Sequence, residues 1–286
     1  VQLTPNVHVL RAPSAPYAGL YEPNVYLVVD GGSAIIIDGG LEDEAAANER
    51  LTYLKDLGAP RVGLIALTHH HRDHASGALL LAAATGAPIR MHAEEERLLG
   101  DDPKRRHPDV RFGPPLVDGE ALAAGRLRLR VVHTPGHSAG HVCFFLEEQA
   151  VLFSGDNVLG LGTTAIPPPP TGDMALYVRS LERMKSLGAS LLCPGHGPPV
   201  REPQRKIQEL IDHRHEREEQ LLSLLSGGES SVDALVRRIY PELAPQLLRM
   251  AGGQVTAHLC KLRDEGKVSL RTEDGDLVAT LRPSRG

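Results

Sequence analysis

Two hydrophobic rhythms alternate along the chain. Short β-branched or wholly apolar runs predict strands, and longer stretches of three-to-four spacing predict helices. Val7 to Leu10 reads as a short strand. Asn24 to Asp30 and Ser33 to Asp38 read as two strands joined at Asp30-Gly31-Gly32, a hairpin signal. From Asp43 to Leu57 apolar residues recur at helical spacing (Ala46, Leu51, Leu54, Leu57), and Gly58 stops the pattern. Arg61 to Leu67 is a buried-strand run. His74 to Thr85 is a helix ending near Gly86. Ile89 to His92 is a short strand and Ala93 to Leu99 a short helix. Asp101 to Pro115 is charged and proline-bearing and predicts a surface loop. Arg126, Arg128 and Arg130 alternate with Leu127, Leu129 and Val131, as in a half-exposed strand. Val142 to Leu146 and Ala150 to Phe153 predict a strand pair. Pro167 to Pro170 cannot be helical. Met174 to Leu187 is an amphipathic helix, and Leu191-Leu192-Cys193 a last short strand. Strands lead, helices intervene, and the order repeats. That favours an α/β layered sandwich over a pure doubly wound sheet.

The pattern changes after Val200. Gln204 to Leu225 carries an apolar helical set (Ile207, Leu210, Ile211, Leu221, Leu222, Leu225) interrupted by the charged run Asp212 to Glu219, which predicts a solvated face. Gly227-Gly228 ends this helix. Ser230-x-x-Asp233 resembles a capping box opening a helix to about Tyr240. Another helix is expected from about Gln254 to Glu265. Lys267 to Leu270 and Asp276 to Leu281 flank Glu273-Asp274-Gly275 as a hairpin. Three helices and a hairpin are the order of a winged-helix module. The expected domains are therefore 1–203 and 204–286.

Composition narrows the classes. The chain has 286 residues, 41% hydrophobic and 23% charged, enough for a substantial core. Its net charge of −5 gives no general attraction to nucleic acid or anionic membrane. Cys143, Cys193 and Cys260 are scattered and odd in number, which suits a reducing compartment and small buried side chains. Val1 to Pro5 shows no secretory pattern, and no apolar run approaches a membrane span. A soluble cytoplasmic protein is the expectation, although the chain opens on Val1 and not on Met.

The chemistry concentrates in Thr68-His69-His70-His71-Arg72-Asp73-His74. Alternate residues share a face of a strand, so His69 and His71 can aim at one metal ion. Asp73 and His74 lie where a helix begins and can aim at a second. Further candidate ligands sit at glycine turns after short strands: His137 in Thr134-Pro135-Gly136-His137, Asp156 in Ser154-Gly155-Asp156, and His196 in Pro194-Gly195-His196.

With these motifs in order, the chain resembles the metallo-β-lactamase superfamily. The resemblance covers roughly residues 1 to 200 and implies an αββα sandwich. Carried over by motif, His69, His71 and His137 would bind a first metal, and Asp73, His74 and His196 a second. Asp156 would bridge the two. Asn24-Val25-Tyr26-Leu27-Val28 matches the family's entry strand. The implied cofactor is a pair of divalent ions, Zn²⁺ first and Mn²⁺ or Fe²⁺ as alternatives. The implied reaction is hydrolysis by a metal-bridging hydroxide, with Asp73 orienting the nucleophile. His70 is expected to turn away to the rim of the site. His133 and His141 are candidate supports for the ligands, and His8, His92, His107, His213, His215 and His258 read as structural or exposed.

The bridging Asp156 and the absence of Cys from the ligand set depart from true β-lactamases. The whole chain is similar to the β-lactamase-like protein 2 group, through Gly160-Leu161-Gly162-Thr163-Thr164, Ile211-Asp212-His213-Arg214, and His258-Leu259 with Lys261-Leu262 and Glu265-Gly266-Lys267. That group adds a winged-helix-like C-terminal domain, and its mitochondrial member is a single-strand endoribonuclease. The sequence departs from the group at Pro167 to Pro170 and at His70. Three readings follow: a phosphodiesterase or single-strand ribonuclease, a glyoxalase II-like thioesterase, and a non-catalytic nucleic-acid-binding module. Residues 204 to 286 hold 13 basic and 13 acidic side chains, which is not the basic footprint of a duplex binder. The C-terminal helices are thus expected to wall the site.

Overall fold

The computed structural model describes residues 1–10, 22–273 and 275–282. In chain order the strands are β1 (Val7–Leu10), β2 (Val25–Asp30), β3 (Ser33–Ile37), β4 (Arg61–Ala66), β5 (Ile89–Arg90), β6 (Ala121–Ala124), β7 (Leu127–His133), β8 (Val142–Leu146), β9 (Val151–Gly155), β10 (Leu191–Pro194), β11 (Ser230–Ser231), β12 (Val268–Glu273) and β13 (Asp276–Leu281). The helices are α1 (Glu44–Asp56), α2 (Arg72–Thr85), α3 (Ala93–Leu99), α4 (Asp102–Arg106), α5 (Met174–Ser186), α6 (Pro203–Leu225), α7 (Val232–Ile239) and α8 (Leu248–Asp264).

The described chain divides into two compact units. One comprises Val1–Thr134, Gly140–Thr163 and Leu187–Gln204; the other comprises Pro135–Ala139, Thr164–Ser186 and Arg205–Gly286. The second unit therefore draws two segments from the middle of the chain besides the C-terminal one.

The first unit is built on two sheets, ordered β1-β2-β3-β4-β5 and β10-β9-β8-β7-β6. Strand alternation explains how they pack. Tyr26, Val28, Ile35 and Ile37 face one way and meet Leu129, Val131, Phe144 and Phe153 of the other sheet in one core. Tyr26 stands edge-on to Phe153 at 5.3 Å between ring centroids. The intervening residues Val25, Leu27, Ala34 and Ile36 face the opposite way and bury against α1 and α2 through Ala47, Leu54, Ala75 and Ala78. Burial of each Val, Leu or Ile among them contributes about 1.5–3 kcal/mol. Asp43 caps α1 by accepting from the Ala46 amide at 2.7 Å.

Parallel pairing of β3 with β4 and of β9 with β10 brings strand ends together. The turns after β3, β4, β9 and β10 carry Asp38, the histidine cluster, Asp156 and His196.

Several sequence expectations shift. The helix expected from His74 begins at Arg72, with His71 at its N-cap. The stretch Asp101 to Pro115 is not all loop, because α4 forms within it with Pro103 in its first turn. Strand β6 pairs with β7 and carried no expectation; its four residues are too short and alanine-rich to signal a strand. In the second unit α7 is capped by Ser231, one residue beyond the expected Ser230. Helix α8 starts at Leu248 and runs through Gly252-Gly253. The expected hairpin forms as β12 paired with β13, with Asp274 outside the described residues. A small core of Leu221, Leu235, Val255, Leu259, Leu262 and Val268 holds α6, α7, α8 and this hairpin together.

The charged run of α6 is not a uniformly solvated face. Arg214 is fully buried and Glu218 is 5% exposed. Their spacing explains this, since Ile207, Leu210, Ile211, Arg214, Glu218, Leu221 and Leu225 form one stripe along the helix. Glu218 bonds Lys261 at 2.7 Å and faces His258 Nδ1 at 3.4 Å, and His258 is itself fully buried. Among the described residues no helix is long and apolar enough to cross a membrane.

Candidate metal centre

Strand β4 ends at Ala66, and the chain then lays Thr68 to His74 across the ends of the sheets before α2 begins. His69 and His74 are fully buried and Asp73 is 8% exposed. His69 Nε2 lies 2.9 Å from His71 Nδ1. His74 Nε2 lies 3.2 Å from His196 Nε2, 3.3 Å from Asp156 Oδ1 and 3.9 Å from Asp73 Oδ2. His196 Nε2 is 3.2 Å from Asp73 Oδ2 and 3.5 Å from Asp156 Oδ1. Two sets of donor atoms, from His69, His74 and Asp156 and from Asp73, His74 and His196, each gather within 4.8 Å.

Asp38 lies behind this cluster and governs its tautomers. Its residue stands at φ 60°, directly after β3. Its carboxylate accepts the Thr68 amide at 2.8 Å and the Thr68 hydroxyl at 2.9 Å. It also lies 2.9 Å from His74 Nδ1. A carboxylate only accepts, so His74 Nδ1 carries a hydrogen and Nε2 is the ring atom turned to the cluster. The Thr68 hydroxyl, having donated to Asp38, accepts from His69 Nδ1 at 3.0 Å, and His69 Nε2 is left as the donor atom. Asp38 carried no expectation of such a role. An acidic residue at the end of the all-apolar Ile35-Ile36-Ile37 run, just before Gly39-Gly40, was the available signal.

The other turns that carry candidate ligands are held as firmly. Asn24 donates to the carbonyls of Pro194 (2.9 Å) and Gly197 (2.8 Å), and the Tyr26 hydroxyl donates to Pro194 at 2.8 Å. The entry strand thus pins the turn that carries His196. Gly195 is required there, because a Cβ would stand 2.3 Å from Asp156 Oδ1 and 2.8 Å from His74 Cε1. The Asp156 amide donates to His141 Nε2 at 3.2 Å, and the other nitrogen of that ring meets the Thr134 hydroxyl at 3.1 Å. His141 therefore supports Asp156. His133 instead stacks flat on His92, 4.4 Å apart and 7° between planes. His70 turns to the fully buried Glu95, which accepts its backbone amide at 2.8 Å and pairs with its Nδ1.

His137 belongs to the second unit, within Pro135–Ala139. Its Nδ1 lies 2.9 Å from the Ala165 carbonyl and 3.3 Å from the Thr164 hydroxyl.

The electrostatics suit a cation. Burial raises the pKa of Asp73, but the hydrogen bond from His196 and the charge of His74 outweigh it and bring the carboxyl to about 2. Burial lowers the pKa of His74, yet Asp156 and Asp38 carry it well above the usual histidine range. Two carboxylates and several imidazole nitrogens converging away from water demand positive charge, and a divalent ion with nitrogen and oxygen ligands meets that demand. The donor set therefore fits the group that the motifs imply.

Comparison with known proteins agrees with this chemistry. The profile of the Metallo-beta-lactamase superfamily matches residues 18–196, and that of the Beta-lactamase associated winged helix domain matches residues 231–276. A Beta-lactamase-like protein 2 homolog of Drosophila melanogaster is 32% identical over 91% of this chain and 89% of its own length. An Atrochrysone carboxyl ACP thioesterase of Aspergillus fumigatus is 32% identical over 71% of this chain, which spans only 60% of that relative's length. The crystal structure of a metallo-beta-lactamase family protein from Thermus thermophilus superposes with a TM-score of 0.79 at 30% identity, over 98% of this chain and 100% of that one. The paired sheets and the histidine–aspartate cluster are thus those of a metal-dependent hydrolase, and the chain belongs to the metallo-β-lactamase superfamily, with a winged-helix domain following the catalytic fold.

Proposed function

We propose that the chain is a dinuclear metal-dependent hydrolase whose substrates are thioesters of a carrier thiol. The observation that carries the hydrolase reading is the buried convergence of His74 Nε2 and His196 Nε2 with the carboxylates of Asp73 and Asp156. In this reading His69, His71 and His137 would hold one ion and Asp73, His74 and His196 the other, with Asp156 a further ligand. The ions are Zn²⁺, with Fe²⁺ and Mn²⁺ compatible with the same donors. Bound divalent ions supply Lewis acidity and lower the pKa of water. The protein's own residues do the rest. Asp38 keeps His69 and His74 in the ligating tautomer. Asp73, ionised at neutral pH, accepts an O–H···O bond from a water and orients it.

The thioester reading draws on the named activity of the Aspergillus relative. It draws also on the balance of 13 basic and 13 acidic side chains in residues 204–286, which supplies little phosphate affinity. A single-strand ribonuclease is the second reading. It is favoured by the match to the Drosophila protein over nearly the whole length of both chains, winged helix included.

The test is parallel turnover of S-lactoylglutathione, bis-p-nitrophenyl phosphate and single-stranded RNA by the metal-loaded chain. Thioester hydrolysis that disappears in Asp156→Ala is expected. Turnover of RNA or the phosphodiester without the thioester rejects the thioester reading. Full turnover by His71→Ala or Asp156→Ala rejects the metal assignment itself.

A further inference from the structure

The second unit contains a chain of contacts that ends on His137. Its Nδ1 points at the Ala165 carbonyl, 2.9 Å away. A carbonyl accepts and never donates, so Nδ1 carries the ring hydrogen and Nε2 keeps its lone pair. The Ala165 carbonyl belongs to the peptide group that joins Ala165 to Ile166. The N–H of that same group donates to Gln254 Oε1 at 2.8 Å. Gln254 lies on α8, in the C-terminal segment. The preceding carbonyl, of Thr164, accepts from Arg214 Nη2 at 2.9 Å. Arg214 lies on α6 and is fully buried, with its guanidinium carbon 5.2 Å from the centre of the Tyr177 ring. Tyr177 in turn backs the His137 turn, where a Cβ on Gly136 would stand 2.4 Å from Tyr177 Cα. The peptide that receives the His137 hydrogen is therefore gripped on both sides by side chains of the C-terminal helices.

A lone buried guanidinium is costly unless it is satisfied, and a glutamine reaching over to one loop amide is not needed for helix packing. Both groups act instead on one short backbone segment. We propose that Arg214 and Gln254 are positioning residues for His137, so that the winged-helix segment sets the direction and tautomer of a metal-ligating histidine. The proposal rests on the reading of His137 as a metal ligand. It gives α6 and α8 a function independent of nucleic acid. It also explains why a charged residue occupies the apolar stripe of α6 at Arg214.

Gln254 is the residue to change first, being only half-buried and outside the small core of the C-terminal helices. Gln254→Leu keeps the bulk and removes the acceptor, while Gln254→Glu keeps an acceptor oxygen. The full chain is titrated with Co²⁺, following stoichiometry and the ligand-field absorption spectrum, with the melting temperature recorded in parallel. Gln254→Leu is expected to bind one ion about 10-fold more weakly, the usual cost of losing a partner behind a ligand. Its absorption spectrum shifts, its melting temperature without metal falls by no more than the loss of one buried hydrogen bond, and Gln254→Glu restores the affinity. His137→Ala is the control. If it retains both ions at full affinity, the ligand reading falls and the proposal falls with it. If His137→Ala loses an ion while Gln254→Leu binds both as the parent does, the ligand reading stands and the positioning role is overturned. Equal weakening in Gln254→Leu and Gln254→Glu also overturns it, since packing and not the hydrogen bond would then be responsible.

Discussion

Asp38 shows how much of a candidate metal centre can depend on a residue outside its donor cluster. Its carboxylate takes the His74 hydrogen directly and reaches His69 through the Thr68 hydroxyl. Asp38→Asn places an amide where an acceptor is needed, and the His74 ring is then free to choose the wrong tautomer. Metal affinity is expected to fall about 10–100-fold with the fold intact, as measured by competition against a chromogenic chelator. Parent-like affinity would show that the tautomers are held by other means. The ligand-type residues themselves were legible in the sequence, because metal chemistry admits few residue types and these came with glycine turns. Asp38 was not, because one aspartate at a strand end is common and only proximity to His74 gives it a role. The same holds for His141 and His133. They are alike in the sequence, yet one supports the Asp156 amide and the other stacks on His92.

At the scale of elements, amphipathic spacing predicted most strands and helices well. The difficulty lay where a polar residue occupied an apolar position. In α6 a charged residue normally reads as solvated, and Arg214 and Glu218 broke that rule because partners on other segments bond Arg214 Nη2 and the Glu218 carboxylate. Their burial has a pH consequence. Burial lowers the pKa of His258 against the opposing hydrogen bond it donates to Glu218, so the folded state takes up a proton less readily than the unfolded chain. Burial raises the pKa of Glu218, but His258 and Lys261 outweigh it and leave the carboxyl below its usual range. The sign is the same for both. Stability is lost as pH falls, for His258 below its ordinary value near 6.5 and for Glu218 below its ordinary value near 4.5. Urea unfolding of the chain between pH 7 and 5 is expected to show stability declining on acidification. His258→Asn is expected to flatten that decline, and an unaltered slope would remove His258 as its source.

For the molecule as a whole, metal and fold should be coupled, since the unfolded chain cannot gather ligands spread from His69 to His196. Chelation is expected to lower the melting temperature, because the ions bind the folded state, and returning Zn²⁺ should restore it. An unchanged melting temperature, with metal loss verified by elemental analysis, would overturn this coupling, since an ion that binds only the folded state must stabilise it. The sandwich class and the winged-helix order of the C-terminal segment were legible in the chain alone, as were the residues whose chemistry makes them candidate ligands. Each of these is written in local spacing, in residue chemistry or in glycine turns, which neighbouring residues alone can express. Only the tertiary structure decided which donors meet, that Asp38 governs two histidines, and that Arg214 and Gln254 grip the peptide facing His137. Those facts depend on residues far apart in the chain arriving within about 3 Å of one another, and no local pattern records that arrival.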